Sequence, residues 1–229
     1  MLNPMSIVRD VQDLTTPKQM YLAVLTAIVV AISMSMGDPW YGVMCAGTGA
    51  MCVVLVAEGK ISNFFWGLIN VAAYGYISYT NNIQGDMLLN WLVYIPFQFY
   101  GLYVWSKNQA GSGNVVTRAM TGVQLLVTVV LTILAVALTK VGLDLIGSSK
   151  TTIDAVNVVL SLVAVLLMSQ RFREQWVCWI IVNITGIIMW TMIALDPAGH
   201  AGISGLVMWS AFLVNSCYGF YNWTKLSKK

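Results

Sequence analysis

The sequence is short of charge. Of its 229 residues only 9% are Asp, Glu, Lys or Arg, 58% are hydrophobic, and the mean hydropathy is +0.75. A soluble domain carries about 25% charged and about 45–50% apolar residues. So few charges could not cover a water-exposed surface, which excludes a soluble enzyme or nucleic-acid binder. The net charge of +3 is too small and too scattered to make a polyanion-binding patch. Histidine is almost missing, with His200 alone. The four cysteines, Cys45, Cys52, Cys178 and Cys217, fall in apolar runs without a CxxC spacing. They read as small buried hydrophobes, and neither a metal site nor a disulfide framework is expected. No GxSxG or HExxH pattern occurs, so the sequence points to no enzyme and to no cofactor.

What is present is apolar runs of membrane-crossing length. A hydrocarbon core needs about 20 apolar helical residues. Eight stretches qualify: 20–36, 40–57, 62–80, 87–105, 119–139, 152–168, 175–195 and 201–223. The runs are continuous rather than alternating, so they predict helices and not barrel strands. Breakers separate them at Gly37-Asp38-Pro39, Gln84-Gly85-Asp86, Asn108–Asn114 and Asp196-Pro197-Ala198-Gly199. Thr16-Pro17-Lys18-Gln19 offers an N-cap, a first-turn proline and a glutamine three on. The first 18 residues are mostly polar, unlike a cleavable signal peptide.

Eight spans place Arg9, Lys18, Lys60, Lys107, Arg118, Arg171, Arg173, Lys225, Lys228 and Lys229 on one side, ten of the twelve basic residues. Only Lys140 and Lys150 fall on the other. Basic residues mark the cytoplasmic side, which predicts both termini there.

The chain repeats itself. Trp66-Gly67-Leu68-Ile69-Asn70 resembles Trp179-Ile180-Ile181-Val182-Asn183 at an offset of 113. Tyr100-Gly101-Leu102-Tyr103-Val104-Trp105 resembles Tyr218-Gly219-Phe220-Tyr221-Asn222-Trp223 at an offset of 118. The expected architecture is all-α and polytopic, with an extra first helix, three helices, a linker helix and three helices. One intervening helix makes the two repeats parallel, and such carriers place substrate near the midplane. The segments are 1–37 (tail and extra helix), 38–106 (first repeat), 107–150 (loop and linker helix), 151–224 (second repeat) and 225–229 (tail).

Within the spans the neutral amides are the most informative polar residues. Asn70, Gln98, Asn183 and Asn215 must each be satisfied by another helix, by water or by a ligand. Trp66, Asn70 and Tyr74 share a helical face, as do Tyr94, Gln98 and Gly101. Trp179 and Asn183 repeat the first pair, with Trp190 further along, and Ser216 stands where the first repeat has Gln98. Interhelical hydrogen bonding explains any one amide; four together point to a polar cavity. Asp154 is the one acid in a span, and Thr151-x-x-Asp154 reads as a capping box. Without a buried acid–base chain a passive facilitator is expected rather than a proton pump. Trp40, Trp105, Trp176 and Trp223 near span ends read as interfacial belt residues. Gly67, Gly75, Gly101, Gly186, Gly205 and Gly219 read as helix-packing sites.

At these residues the sequence resembles the PnuC family of bacterial nicotinamide riboside transporters. The likeness runs from Glu58-Gly59-Lys60-Ile61-Ser62-Asn63 into Asn70, through Gln98 to Trp105 and Asp154 to Arg173, and on to Trp179 and Asn183. It covers about residues 40–223. The resemblance implies a SWEET-like 3+1+3 fold in the bacterial inner membrane and a homotrimer. It also implies facilitated diffusion of nicotinamide riboside, trapped by cytosolic phosphorylation. The substrate-binding set would be Trp179, Asn183, Gln98, Asn70, Asn215, Trp66, Tyr94 and Trp190, with aromatic faces for the pyridinium and amides for ribose and carboxamide. The competing expectations are a facilitator of another small polar solute, such as a sugar or another vitamin, and a non-transporting receptor.

Overall fold

The computed structural model describes residues 4–80, 87–111, 113–145, 151–195 and 202–227. Among them the regular structure is helical, with isolated β-bridges and no strand. The helices are α1 (Pro4–Gln12), α2 (Thr16–Ser35), α3 (Trp40–Ala57), α4 (Asn63–Thr80), α5 (Ile95–Ser106), α6 (Gly122–Leu145), α7 (Thr151–Ser169), α8 (Gln175–Ala194) and α9 (Gly202–Leu226). A π-helical segment, Leu89–Tyr94, leads into α5. The eight expected spans coincide with α2 to α9, the fourth with the π-helical segment and α5 together, with bounds within six residues. The expected breaks at Gln84-Gly85-Asp86 and Asp196–Gly199 lie outside the described residues, as do His200, Lys150, Lys228 and Lys229. Four helices, α2, α3, α6 and α7, are each long and apolar enough to cross a membrane on composition alone. The amides of the candidate site sit on α4, α5, α8 and α9.

The chain divides into two compact units, Met1–Val116 and Thr117–Lys229. In the first, α3 packs on α4 and on α2, and α5 packs on α4. In the second, α8 packs on α7 and most extensively on α9, while α6 lies along α7. None of the α6 residues is buried.

Each unit turns from its first repeat helix to its second in the same way. In the first, Gly59 adopts φ 68°, Gly59 N–H donates to Val56 at 3.0 Å and Lys60 N–H to Leu55 at 2.9 Å. In the second, Arg171 adopts φ 67°, Arg171 N–H donates to Met168 and Phe172 N–H to Leu167, both at 2.9 Å. This is the Schellman arrangement, which satisfies the last carbonyls of a helix and favours glycine at the left-handed position. Arginine there costs about 1–2 kcal/mol relative to a residue without a Cβ. The turn aligns the two repeats at an offset of 112, one residue short of the Trp66/Trp179 match.

The third helix of each repeat is locked to the second by an aromatic pair. Phe64 meets Trp105 edge-to-face at 5.0 Å, and Trp176 meets Trp223 at 6.0 Å. Gly101 and Gly219 make room, because a Cβ at either would collide with Phe64 or Trp176. Gly75 and Gly186 likewise seat Trp91 and Trp209. The packing reading of these glycines is therefore correct; the side-chain surroundings of Gly205 lie outside the described residues. The belt reading of three tryptophans is not. Trp105 and Trp223 are wholly buried and Trp176 nearly so, because they fill this helix–helix seam. Trp40, 74% exposed, fits a belt position.

The N-terminal segment is more than a polar tail. α1 lies against the α3–α4 turn, where the buried Asp10 carboxylate accepts the Ser62 N–H at 2.9 Å. Asp13 faces the buried Lys60 ammonium at 3.7 Å, and Lys18 pairs with the buried Glu58 at 2.5 Å. The Thr16 capping box does not form. Thr15 is the N-cap and makes no side-chain bond, and Gln19 instead donates to the Val11 and Gln12 carbonyls at the end of α1. The tight α1–α2 connection brings those orphan carbonyls within reach. Thr121 and Gln124, not singled out in the sequence, form a reciprocal cap at the start of α6.

Replacing Asp10 by alanine strands the buried Ser62 N–H and should lower stability by about 1–3 kcal/mol. Replacing Asp13, whose side chain is 45% exposed, should cost about 0–1 kcal/mol. Thermal unfolding of both variants in detergent checks the ranking.

Candidate functional site

In the first unit, Asn70 on α4 donates through Nδ2 to the Cys45 carbonyl on α3 at 2.8 Å. Gly49 permits this approach, since a Cβ there would stand 2.8 Å from the amide nitrogen. One turn earlier on α4, Gly67 faces Gln98 of α5, and a Cβ would stand 2.7 Å from Gln98 Oε1 and 3.1 Å from Cys52 Sγ. The Gln98 side chain is buried, and its Oε1 has no hydrogen-bond partner among the described residues. The same holds for Trp66 Nε1, one residue before Gly67. An orphaned buried acceptor or donor costs about 1–3 kcal/mol, so such groups persist where a ligand or water completes them. Trp66 and Gln98 therefore supply one unfilled donor and one unfilled acceptor.

Tyr94, partly exposed, ends the π-helical segment that precedes Pro96. Proline has no N–H to offer the carbonyl four residues back. The ladder widens accordingly, and Ile95 N–H donates to Asn90, five residues earlier. π-Helical turns recur at functional sites because they re-aim neighbouring side chains. Tyr94 and Gln98 flank this one.

In the second unit, the buried Asn183 on α8 donates through Nδ2 to Ser216 Oγ on α9 at 2.8 Å, and Ser216 Oγ donates to the Phe212 carbonyl at 2.9 Å. Asn215, 1% exposed, adjoins Ser216. Trp179 stands one turn before Asn183 and is partly exposed. The Trp190 side chain lies outside the described residues. So the structure joins Asn183 to Ser216 and Gln98 to the Gly67 surface, each pairing the second and third helices of a repeat. Asn70 differs, since it bonds back to the first. Asn183 accordingly corresponds to Val71 in the register of the turns, and Asn70 to Val182.

Several polar groups within the helices carried no signal in the sequence. Asn157 on α7 accepts a hydrogen bond from Thr185 Oγ1 on α8. Asn90 lies buried in the π-helical segment. Gln175 is wholly buried, with neither amide atom partnered among the described residues. Asn157 and Thr185 stand 28 residues apart on helices separated by a turn, which hides their pairing in the sequence. Asp154 lies in the first turn of α7, where a negative charge suits the helix dipole. Among the described residues no group of three His, Cys, Asp or Glu is arranged to hold a metal ion.

The family described as nicotinamide mononucleotide transporter matches residues 39–225. The chain is 42% identical over 197 residues to the nicotinamide riboside transporter PnuC of Neisseria mucosa, covering 84% of this chain and 74% of that protein. It is 38% identical over 195 residues to the protein of the same name from Haemophilus influenzae, covering 84% and 82%. A solved structure described as the crystal structure of the vitamin B3 transporter PnuC superposes with a TM-score of 0.80 at 39% identity, over 94% of this chain and 93% of that one.

Adding a methyl at Gly67 forces Gln98 from its place. Gly67→Ala should reduce solute uptake by about tenfold or more, equivalent to about 1.4 kcal/mol. Gly142→Ala on α6, where a Cβ meets nothing within 4 Å, should leave uptake unchanged. Proteoliposome uptake of the two variants at matched protein density checks the contrast.

Proposed function

Since this chain belongs to the nicotinamide mononucleotide transporter family, a family of membrane transporters rather than enzymes, we propose that it carries nicotinamide riboside across a bacterial inner membrane. Transport is by facilitated diffusion with alternating access, and phosphorylation in the cytosol traps the product. The observation that carries this reading is the likeness, over 84% of the chain, to two relatives that both bear that substrate's name.

The chemistry of the polar helices favours the riboside over its phosphate ester. The ligand offers ribose hydroxyls, a carboxamide and a flat cationic ring. Asn70, Gln98, Asn183 and Asn215 supply amides, and Trp66, Trp179, Trp190 and Tyr94 supply ring faces. A mononucleotide would add a phosphate that calls for Arg, Lys or an open helix N-terminus. Residues 63–80, 87–106, 175–194 and 202–224 contain no Lys or Arg. A dephosphorylated nucleoside therefore suits them better than a nucleotide.

In the same reading the two repeats, 38–106 and 151–224, move as the alternating elements, with 107–150 as the link between them. Both termini face the cytoplasm, following the ten of twelve basic residues on that side. The assembly is a homotrimer.

Titration calorimetry on the detergent-purified protein should show heat with nicotinamide riboside and none with ribose or nicotinamide mononucleotide. Asn183→Ala should weaken binding by about ten- to a hundredfold, about 1.4–2.8 kcal/mol. Absence of binding by folded protein would overturn the substrate. Binding without uptake into proteoliposomes would favour a receptor, and competition by a sugar would favour a different polar solute.

A further inference from the structure

The corresponding turns of the two units differ in how their charges are matched. In the first, the cation Lys60 faces Asp13, the cation Lys18 faces Glu58, and Asp10 receives the Ser62 N–H, so α1 and the residue that follows it bring two carboxylates to the turn. The second unit is preceded by no acidic helix. Its residues 117–170 contain two acids, Asp144 and Asp154, both at the opposite end of α6 and α7 from the turn. Yet its turn is the more basic, with Arg171 and Arg173 in it and Arg118 laid beside it.

That placement is built rather than incidental. Arg118 N–H donates to the Arg171 carbonyl at 2.8 Å, and Arg173 N–H donates to the Arg118 carbonyl at 2.9 Å. The Arg118 guanidinium lies over the Phe172 ring at 4.3 Å. Arg173 pairs with Glu174 at 3.1 Å, and Glu174 also accepts the Met120 N–H. Lys225, over the Tyr221 ring at 4.3 Å, stands at the same end of the unit, since the carbonyl of Trp223, two residues earlier, accepts a bond from Thr117 Oγ1. Arg118, Arg171 and Arg173 thus meet at one turn whose own acid, Glu174, pairs with Arg173, and Lys225 stands at the same end of the unit. Burial first, and the neighbouring Arg118 second, hold the Arg171 guanidinium below its usual basicity. Arg171 also occupies a left-handed backbone position where the first unit has Gly59.

Four residues beyond Arg118 begins α6, which carries no charge before Lys140 and has no buried residue; its Val123 and Leu126 are 74% and 64% exposed. A helix of this kind is surrounded by acyl chains. Its N-terminal end therefore lies at headgroup depth, beside the basic turn.

We propose that Arg118 and Arg171, flanked by Arg173 and Lys225, seat the phosphate of an anionic phospholipid headgroup whose acyl chains run along α6. The lipid takes at this turn the place that Asp10 and Asp13 take at the other. Guanidinium groups suit phosphate oxygens through paired N–H donors, and anionic lipids attract basic segments at the membrane surface. The phosphate chemistry is shared with free phosphate, but the continuity with α6 selects the lipid.

The test is thermal unfolding of the full-length protein in nanodiscs of phosphatidylcholine alone or with phosphatidylglycerol. The wild type should gain about 4 °C or more from phosphatidylglycerol. Arg171→Gly, which keeps the backbone conformation the first unit already uses, and Arg118→Gln should each lose most of that gain. Lys140→Gln, at the far end of α6, should keep it. Equal gain in the wild type and both arginine variants would overturn the site, as would no gain in the wild type. An equal gain from millimolar inorganic phosphate in phosphatidylcholine discs would overturn the lipid assignment.

Discussion

The hydrogen bond from Lys60 N–H to the Leu55 carbonyl, and its counterpart from Phe172 to Leu167, is the interaction on which each half of the chain depends. A helix that ends near a bilayer surface has few waters to satisfy its last carbonyls, so the chain satisfies them itself by folding back at once. That reversal fixes where α4 and α8 begin, and hence which of their residues meet the third helix. Phe64 and Trp176 then stand one residue into their helices, in position to close on Trp105 and Trp223. Extended backbone completes the arrangement in both units. Val115 N–H donates to Gly59 in the first, and Arg118 pairs with Phe172 in the second.

Much of this was legible in the amino-acid sequence. The apolar runs at 40–57 and 62–80 coincide almost residue for residue with α3 and α4, because glycine, proline and charge punctuate them sharply. The offset of 118 between the third helices is likewise a structural fact, since Gly101 and Gly219 perform the same task. What composition could not reveal was long-range pairing. A Trp at a span end looks the same in a seam as in an interfacial belt, and only the partner distinguishes Trp105 from Trp40. α1 is short, of mixed polarity and followed by a proline, so its docking depends on Ser62 and Lys60 some 50 residues away. Trp66 and Trp179 stand one residue out of structural register, because the turns that set it hold Gly59 and Arg171, which share a conformation but not an identity.

The candidate site shows how two related halves can treat the same positions differently. Asn183 finds Ser216 across the helix pair, whereas Gln98 reaches a glycine and leaves its oxygen unfilled. A longer amide opposite a smaller residue does not reproduce a shorter amide opposite a hydroxyl. At these positions Asn183 is satisfied within its own unit and Gln98 is poised for a further partner. That asymmetry was visible as the Gln98/Ser216 contrast; its direction depended on knowing that Gly67, not Asn70, lies opposite.

The contact between Asp10 and Ser62 also constrains how the protein is threaded. The two residues touch, and Lys18 at the start of α2 touches Glu58 at the end of α3. Whatever side of the bilayer holds one must hold the other. Between them the chain has only α2 and α3, each long enough to cross. An outward and a return passage satisfy the contact, while a single crossing would tear it apart. The parity of the membrane path is thus written into a buried carboxylate and one backbone amide, independently of any count of positive charges.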